Sequence, residues 1–166
     1  IDVIATNDTP SANSQSITTL EDTSTSITLT AFDIDGDKLN YSIISNPDQG
    51  TLTGKLPKLT YIPDTNFTGN DTFTFVARDA VSVSPTATID ITVKGINDIP
   101  TAQNQSITIL EDTAKSITLK AEDPDNSSVT YTLVTLPANG MLAGTVPDLT
   151  YTPCLLYTSD AADERS

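Results

Sequence analysis

Residues 10–63 and 100–153 align without a gap, with 27 identities in 54 positions and a constant offset of 90. Two stretches that share half of their residues at one spacing are copies of a single structural unit. The chain is therefore a tandem array, not one large core. The same offset carries Ile1, Val3, Asn7, Asp8 and Pro10 onto Ile91, Val93, Asn97, Asp98 and Pro100. Residues 1–8 accordingly read as the end of a preceding repeat, 9–98 as a complete repeat, and 99–153 as a truncated one.

Each 90-residue unit is a string of short runs rich in Ile, Thr, Val, Tyr and Phe: QSITTL, SITLTAF, KLNYSIIS, KLTYIP, DTFTFVA and TATIDITVK. Pro, Gly, Asn and Asp separate them, which marks strands punctuated by turns. Apolar residues fall on alternate positions: Ile27, Leu29 and Ala31; Leu39, Tyr41 and Ile43; Phe73, Phe75 and Ala77; Ile89, Ile91 and Val93. One face of every strand is thus predicted to be core and the other wet. About seven such strands per unit predict an all-β chain of tandem antiparallel β-sandwiches with immunoglobulin-like architecture. No Trp and no Cys pair marks an antibody-type domain, and no apolar stripe recurs at a helical period.

The register stops at Pro153. The first repeat continues as DTNFTGNDTFTFVARDA, the second as CLLYTSDAADERS, which has no match to Phe67, Phe73 or Phe75. Residues 154–166 resemble translated adapter sequence at the end of an assembled gene fragment and are expected to be non-native or disordered; a genuine divergent C-terminus is the alternative. The second sandwich is then missing its last two strands.

Composition narrows the chemistry. Asp and Glu number 22 against 8 Lys and Arg, a net charge of -14 at pH 7, so phosphate-bearing partners are repelled and nucleic acid is not expected. Histidine is absent and Cys154 is the single cysteine. That removes the imidazole base of a nucleophilic triad and the commonest nitrogen ligand of zinc, and excludes a disulfide framework. No apolar run approaches the roughly 20 residues of a membrane span, so insertion of this segment is not expected.

LEDTSTSITLTAFDIDGDKLNYSI, GTLTGKLPKLTYIPDTNFTGNDTFTFVARD and ITVKGINDIP resemble the cadherin-like and immunoglobulin-like tandem repeats of large bacterial surface proteins and adhesins. The resemblance covers residues 1–153. It implies an extracellular β-sandwich array, often calcium-dependent, that holds an adhesive or enzymatic tip away from the cell. It also implies ligands at each junction: an acid after the first strand, acids before the sixth, an Asn-Asp linker and a D-x-D turn in the next domain. Glu21, Asp71, Asn97, Asp98, Asp123 and Asp125 match that order.

Chain geometry gathers acids independently. If successive strands run between two poles, Glu21, Asp22, Asp64, Asn66 and Asp71 fall at one pole. Asp33, Asp35, Asp37 and Asp79 fall at the other, beside Asn7 and Asp8. Glu111 and Asp112 repeat Glu21 and Asp22. Three carboxylates as close as Asp33, Asp35 and Asp37 repel unless water or a cation screens them. Calcium takes 6–8 oxygen ligands of this kind, although D-x-D-G-D alone also serves as a solvated turn. In the second repeat Ser127 stands where Asp37 would be, which predicts a weaker site there. An EF-hand is a poor fit: Lys38 occupies the glycine position and Ile44 that of the bidentate glutamate.

Asn139-Gly140 and the DQG at 48–50 read as hairpin turns. Tyr41, Tyr61, Tyr131 and Tyr151 read as core, not as a sugar platform. Three functions are weighed. The first is a calcium-stiffened spacer and adhesion module at the bacterial surface, whose partners are neighbouring repeats and a cell-surface protein or glycan. The second is an accessory carbohydrate- or protein-binding module of an extracellular enzyme, for which Phe32 and Phe67 are the candidate aromatics. The third, an enzyme, is not expected, because a bare small sandwich offers no cleft between paired carboxylates.

Overall fold

A computed structural model describes residues 6–154. Most of the 1–8 segment and nearly all of the 154–166 tail lie outside them. The chain divides into two compact units, residues 1–97 and 98–166. Every described residue is in strand, bridge, turn or coil, and no helix long and apolar enough to cross a membrane is present among them.

The first unit carries β1 (Ser11–Ala12), β2 (Gln15–Leu20), β3 (Thr25–Thr28), β4 (Ala31–Phe32), β5 (Asn40–Ser45), β6 (Gly50–Lys55), β7 (Lys58–Pro63), β8 (Gly69–Arg78) and β9 (Ala87–Lys94). They form a four-stranded sheet in the order β2-β9-β8-β5, a three-stranded sheet β3-β7-β6, and a β1-β4 pair. Pairing is antiparallel except for β2 on β9, which run parallel. This is the immunoglobulin-like β-sandwich expected from sequence, with one parallel pair at the edge of its larger sheet. The alternating faces meet between the sheets. Phe73, Phe75, Ile89 and Ile91 of one sheet pack with Ile27, Leu59 and Tyr61 of the other, and Phe73, Phe75, Ile89 and Tyr61 are wholly buried. Each such side chain contributes roughly 1.5–3 kcal/mol by burial.

Three local expectations change. SITLTAF is not one strand: it breaks after Thr28, and Ala31–Phe32 crosses to pair with Ser11–Ala12. GTLTGK, which is not among the runs read as strands, is β6. The DQG at 48–50 is not a hairpin turn, since β5 and β6 lie in different sheets, and it forms a corner between the layers. Gly50 is required there by packing. A Cβ at Gly50 would lie 2.6 Å from the Tyr61 ring, and the Tyr61 hydroxyl, whose single proton has a nearer acceptor in Asp71, lies 3.2 Å from the Gln49 carbonyl.

The second unit carries β10 (Thr101–Ala102), β11 (Lys115–Thr118), β12 (Ala121–Glu122), β13 (Gly140–Thr145) and β14 (Asp148–Pro153). These repeat β1, β3, β4, β6 and β7 residue for residue at the offset of 90. The corner recurs too: Tyr151 lies against Gly140, and its hydroxyl donates to the Asn139 carbonyl at 2.8 Å. Asn139-Gly140 is thus a corner like DQG, not a hairpin. Residues 105–110 and 130–135, the counterparts of β2 and β5, are not strands.

Candidate metal centre

The D-x-D-G-D turn leaves β4 and wraps around one carboxylate. Asp33 is only 7% exposed. Its Oδ1 accepts from the Asp35 N–H at 2.9 Å and the Asp37 N–H at 3.3 Å, and its carbonyl accepts from the Gly36 N–H at 3.3 Å. Gly36 closes the turn at φ 77°, a left-handed conformation that glycine adopts without steric cost. The other oxygen, Asp33 Oδ2, is buried without a hydrogen-bond partner among the described residues. A buried polar atom left unpaired costs on the order of 1–3 kcal/mol, so it marks a place for water or a cation. One oxygen from each of Asp33, Asp35 and Asp37 lies within 4.8 Å of the others. Each like-charge pair at that spacing repels by roughly 1 kcal/mol even with water-like screening.

The segment entering the unit is fastened to this turn. The Asp8 N–H donates to Asp35 Oδ2 at 2.7 Å, and the Asn7 amide donates to Asp79 Oδ2 at 3.1 Å. Asp79 Oδ1 accepts from the Val81 N–H at 2.6 Å and the Ser82 N–H at 2.5 Å, while Oδ2 also accepts from the Ser82 hydroxyl at 2.8 Å. Asp79 therefore fills the four acceptor sites of a carboxylate. The Ser82 N–H, first among these donors, holds its pKa down to about 2 against the opposing effect of burial; Val81, the Ser82 hydroxyl and Asn7 add to the lowering. Ser82 was not singled out in the sequence. A serine three residues after an aspartate is the only trace of this turn.

The opposite pole of the same unit also collects its expected residues. Asp22 Oδ1 accepts from the Asn66 N–H at 3.1 Å, joining two loops, and Asp22 takes φ 52° to do so. Glu21 is 2% exposed and accepts from the Ile96 N–H at 2.6 Å. Asp71 is a different case. It accepts from the Asp48, Gln49 and Thr72 N–H groups at 3.0, 3.1 and 2.8 Å and from the Tyr61 hydroxyl at 2.8 Å. All four acceptor sites are taken by protein donors, so Asp71 pins the β5–β6 corner to β8. Burial first, then the hydrogen bond to Asp71, pushes the Tyr61 phenol well above its ordinary value.

In the second unit the linker contact and the turn recur. The Asp98 N–H donates to Asp125 Oδ2 at 2.6 Å, the Asp125 N–H to Asp123 Oδ1 at 2.9 Å, and the Asn126 N–H to the Asp123 carbonyl at 3.1 Å. Asn126 replaces Gly36 at φ 55°, and Asn is one of the few residues that tolerates this region. Glu111 and Asp112 lie exposed at the counterpart of the Glu21 turn. Asn97 is exposed as well.

The bacterial Ig domain profile matches residues 7–92 and again 97–162. The chain belongs to the bacterial Ig domain family. The second match runs into the segment that reads as adapter sequence. No curated protein matches the chain. Among solved structures, this bacterial Ig domain pair is similar in fold to human protocadherin-24 EC1-2, with a TM-score of 0.50 and 17% identity over 92% of this chain and 81% of that one. It is likewise similar to extracellular cadherin domains 3–6 of protocadherin gamma B2, with a TM-score of 0.52 and 14% identity over 89% and 39% of the two chains. An endo-fucoidan hydrolase of glycoside hydrolase family 107 aligns at a TM-score of 0.42 and 22% identity, over 88% of this chain and 24% of that one. The chain thus spans about a quarter of that hydrolase's length.

Proposed function

We propose that this bacterial Ig domain array is a calcium-stiffened extracellular spacer of a large bacterial surface or secreted protein, without a catalytic role of its own. The observation that carries the reading is Asp33 Oδ2, a buried carboxylate oxygen without a donor among the described residues, beside Asp35 and Asp37 and under the linker residue Asp8. An all-oxygen donor set with three carboxylates suits calcium, whose shell is flexible, better than magnesium, which requires a near-ideal octahedron. A cation held by Asp33, Asp35, Asp37 and the Asp8 segment fastens the linker to the repeat that follows it. Asp98, Asp123 and Asp125 do the same in the second unit with one carboxylate fewer. Asp71 and Asp79 serve as anchors whose acceptor sites are filled by protein donors.

The accessory-module reading finds less support. Phe67 packs against the core, which leaves Phe32, 65% exposed, as the candidate aromatic. The cleft of about 530 Å³ on the first unit is lined by Asp48, Gln49, Asn70 and Thr92 among others, without an aromatic platform for a sugar. Thermal unfolding in millimolar calcium, in millimolar magnesium and in chelator tests the spacer. Calcium raises the first unit's midpoint, magnesium raises it much less, and equal midpoints in all three overturn the proposal. An affinity on the order of 10⁻⁴–10⁻³ M is expected for an extracellular module.

A further inference from the structure

Asn139-Gly140 is the one Asn-Gly step in the sequence; every other asparagine precedes a residue with a side chain. Asparagine is among the thermolabile residues. Its side-chain amide carbon is one five-membered ring closure away from the next residue's backbone nitrogen, and glycine, without a Cβ, leaves that approach open. In the first repeat the same position is Gln49-Gly50. The longer glutamine side chain has to close a six-membered ring, which is slower. The two repeats thus build one corner from side chains of different chemical durability.

Asn139 is exposed, as Gln49 is in the complete first unit, so the exposure belongs to the corner in both repeats. The hydrogen bonds at Asn139 go to its backbone carbonyl: the Cys154 N–H donates at 3.1 Å and the Tyr151 hydroxyl at 2.8 Å. Among the described residues none holds its side-chain amide. Gly140 starts β13, the edge strand of the order β11-β14-β13, and lies opposite Pro153. Antiparallel ladders alternate bonded with non-bonded pairs. Asn139 and Cys154 are bonded, and Pro153 has no N–H to give, so the Gly140 N–H points away from β14 to the open edge.

We propose that Asn139 is a self-modification site, which deamidates through a succinimide closed on Gly140 and leaves isoaspartate in the corner. Solvent base takes the Gly140 amide proton, and the nitrogen attacks the side-chain carbon Cγ of Asn139. The new C–N bond closes the ring as the Cγ–Nδ2 bond breaks, and the leaving nitrogen takes a proton from water and departs as ammonia. Water then opens the ring at either carbonyl. Opening at Cγ gives aspartate; opening at the backbone carbonyl routes the main chain through the side chain and gives isoaspartate. The second product adds a methylene to the main chain and turns the carbonyl that accepts from Cys154 and Tyr151 into a branching carboxylate. Gly140 is then no longer held under the Tyr151 ring, where a Cβ has no room. The corner of the second unit loosens with age while the Gln49 corner keeps its form.

The test is peptide mapping of the intact chain and of its Asn139→Gln variant after storage in mildly alkaline and in mildly acidic buffer, with isoaspartate read by enzymatic methyl transfer to its free carboxylate. The parent should lose the amide at 139 and gain isoaspartate there, faster at the alkaline pH, while the peptide carrying Gln49 keeps its amide. Hydrogen exchange at the Cys154 N–H should quicken in the aged parent and stay unchanged in the aged variant, which carries the first repeat's own residue at this position. An amide retained at 139 in the folded chain overturns the proposal, whether or not urea releases it, as does amide loss spread evenly over the asparagines. Loss that is no faster at alkaline pH overturns the succinimide route, and isoaspartate without faster exchange at Cys154 overturns the loosening.

Discussion

At the scale of the residue, two aspartates that look alike in sequence are separated by which hydrogen bonds they already hold. Among the described residues Asp71 has four donors, whereas Asp33 has an oxygen with none. Asp71→Ala strands the Asp48 and Gln49 amides of the corner and leaves the Tyr61 hydroxyl only the Gln49 carbonyl, and should destabilise the first unit by roughly 2–4 kcal/mol in urea unfolding, equally in calcium and in chelator. Asp33→Asn keeps the acceptor for the Asp35 and Asp37 N–H groups and removes one negative charge. It should unfold no earlier than the parent in chelator, yet lose the calcium-dependent rise. Asp79 supplies the pH signature. Its folded pKa, about 2, lies below the ordinary carboxylate value near 4, so its contribution is present above pH about 4 and is lost as pH falls toward 2. Acid unfolding of the parent should therefore steepen in that window, and Asp79→Asn should flatten it. Composition and spacing brought both poles into view, because acids and turn residues cluster wherever strands end. Spacing alone could not separate Asp33 from Asp71, since that difference rests on Tyr61 and the 48–49 backbone, which approach Asp71 only after the sheets have stacked.

At the scale of the element, strand identity followed alternation where burial was one-sided, as in β8 and β9, and failed where other physics decided. GTLTGK is held as β6 by β7 and by the Tyr61 ring lying over Gly50, not by its own propensity. The glycine that reads as a turn signal is there to admit an aromatic ring, at Gly140 as at Gly50. Segments 105–110 and 130–135 make the converse point: the sequences that make strands at β2 and β5 do not make them where β8 and β9 have no described counterpart. Substituting residues 64–98 for 154–166 behind Pro153 should restore both as strands. The second unit should then unfold at a higher temperature, approaching the first, as four large apolar side chains return to its core. An unchanged midpoint with unchanged exchange at 105–110 would mean that the 90-residue register does not identify its missing strands.

At the scale of the whole molecule, the net charge of -14 sets a background of self-repulsion that a divalent cation relieves. General screening relieves it too, and sodium chloride at matched ionic strength separates the two effects. If cations bind at the turns, the linker amides of Asp8 and Asp98 should exchange more slowly in calcium, because each already donates to a turn carboxylate that the ion would fix. The Ser127-for-Asp37 replacement makes the two sites unequal, so Asp8 should respond at lower calcium than Asp98. The decisive measurement is calorimetric titration of calcium into the intact chain and its Asp33→Asn variant at constant ionic strength. The account predicts saturable binding heat in the parent, with its tighter component gone from the variant. Titrations of parent and variant that superimpose, or that show only heat of dilution, would contradict it.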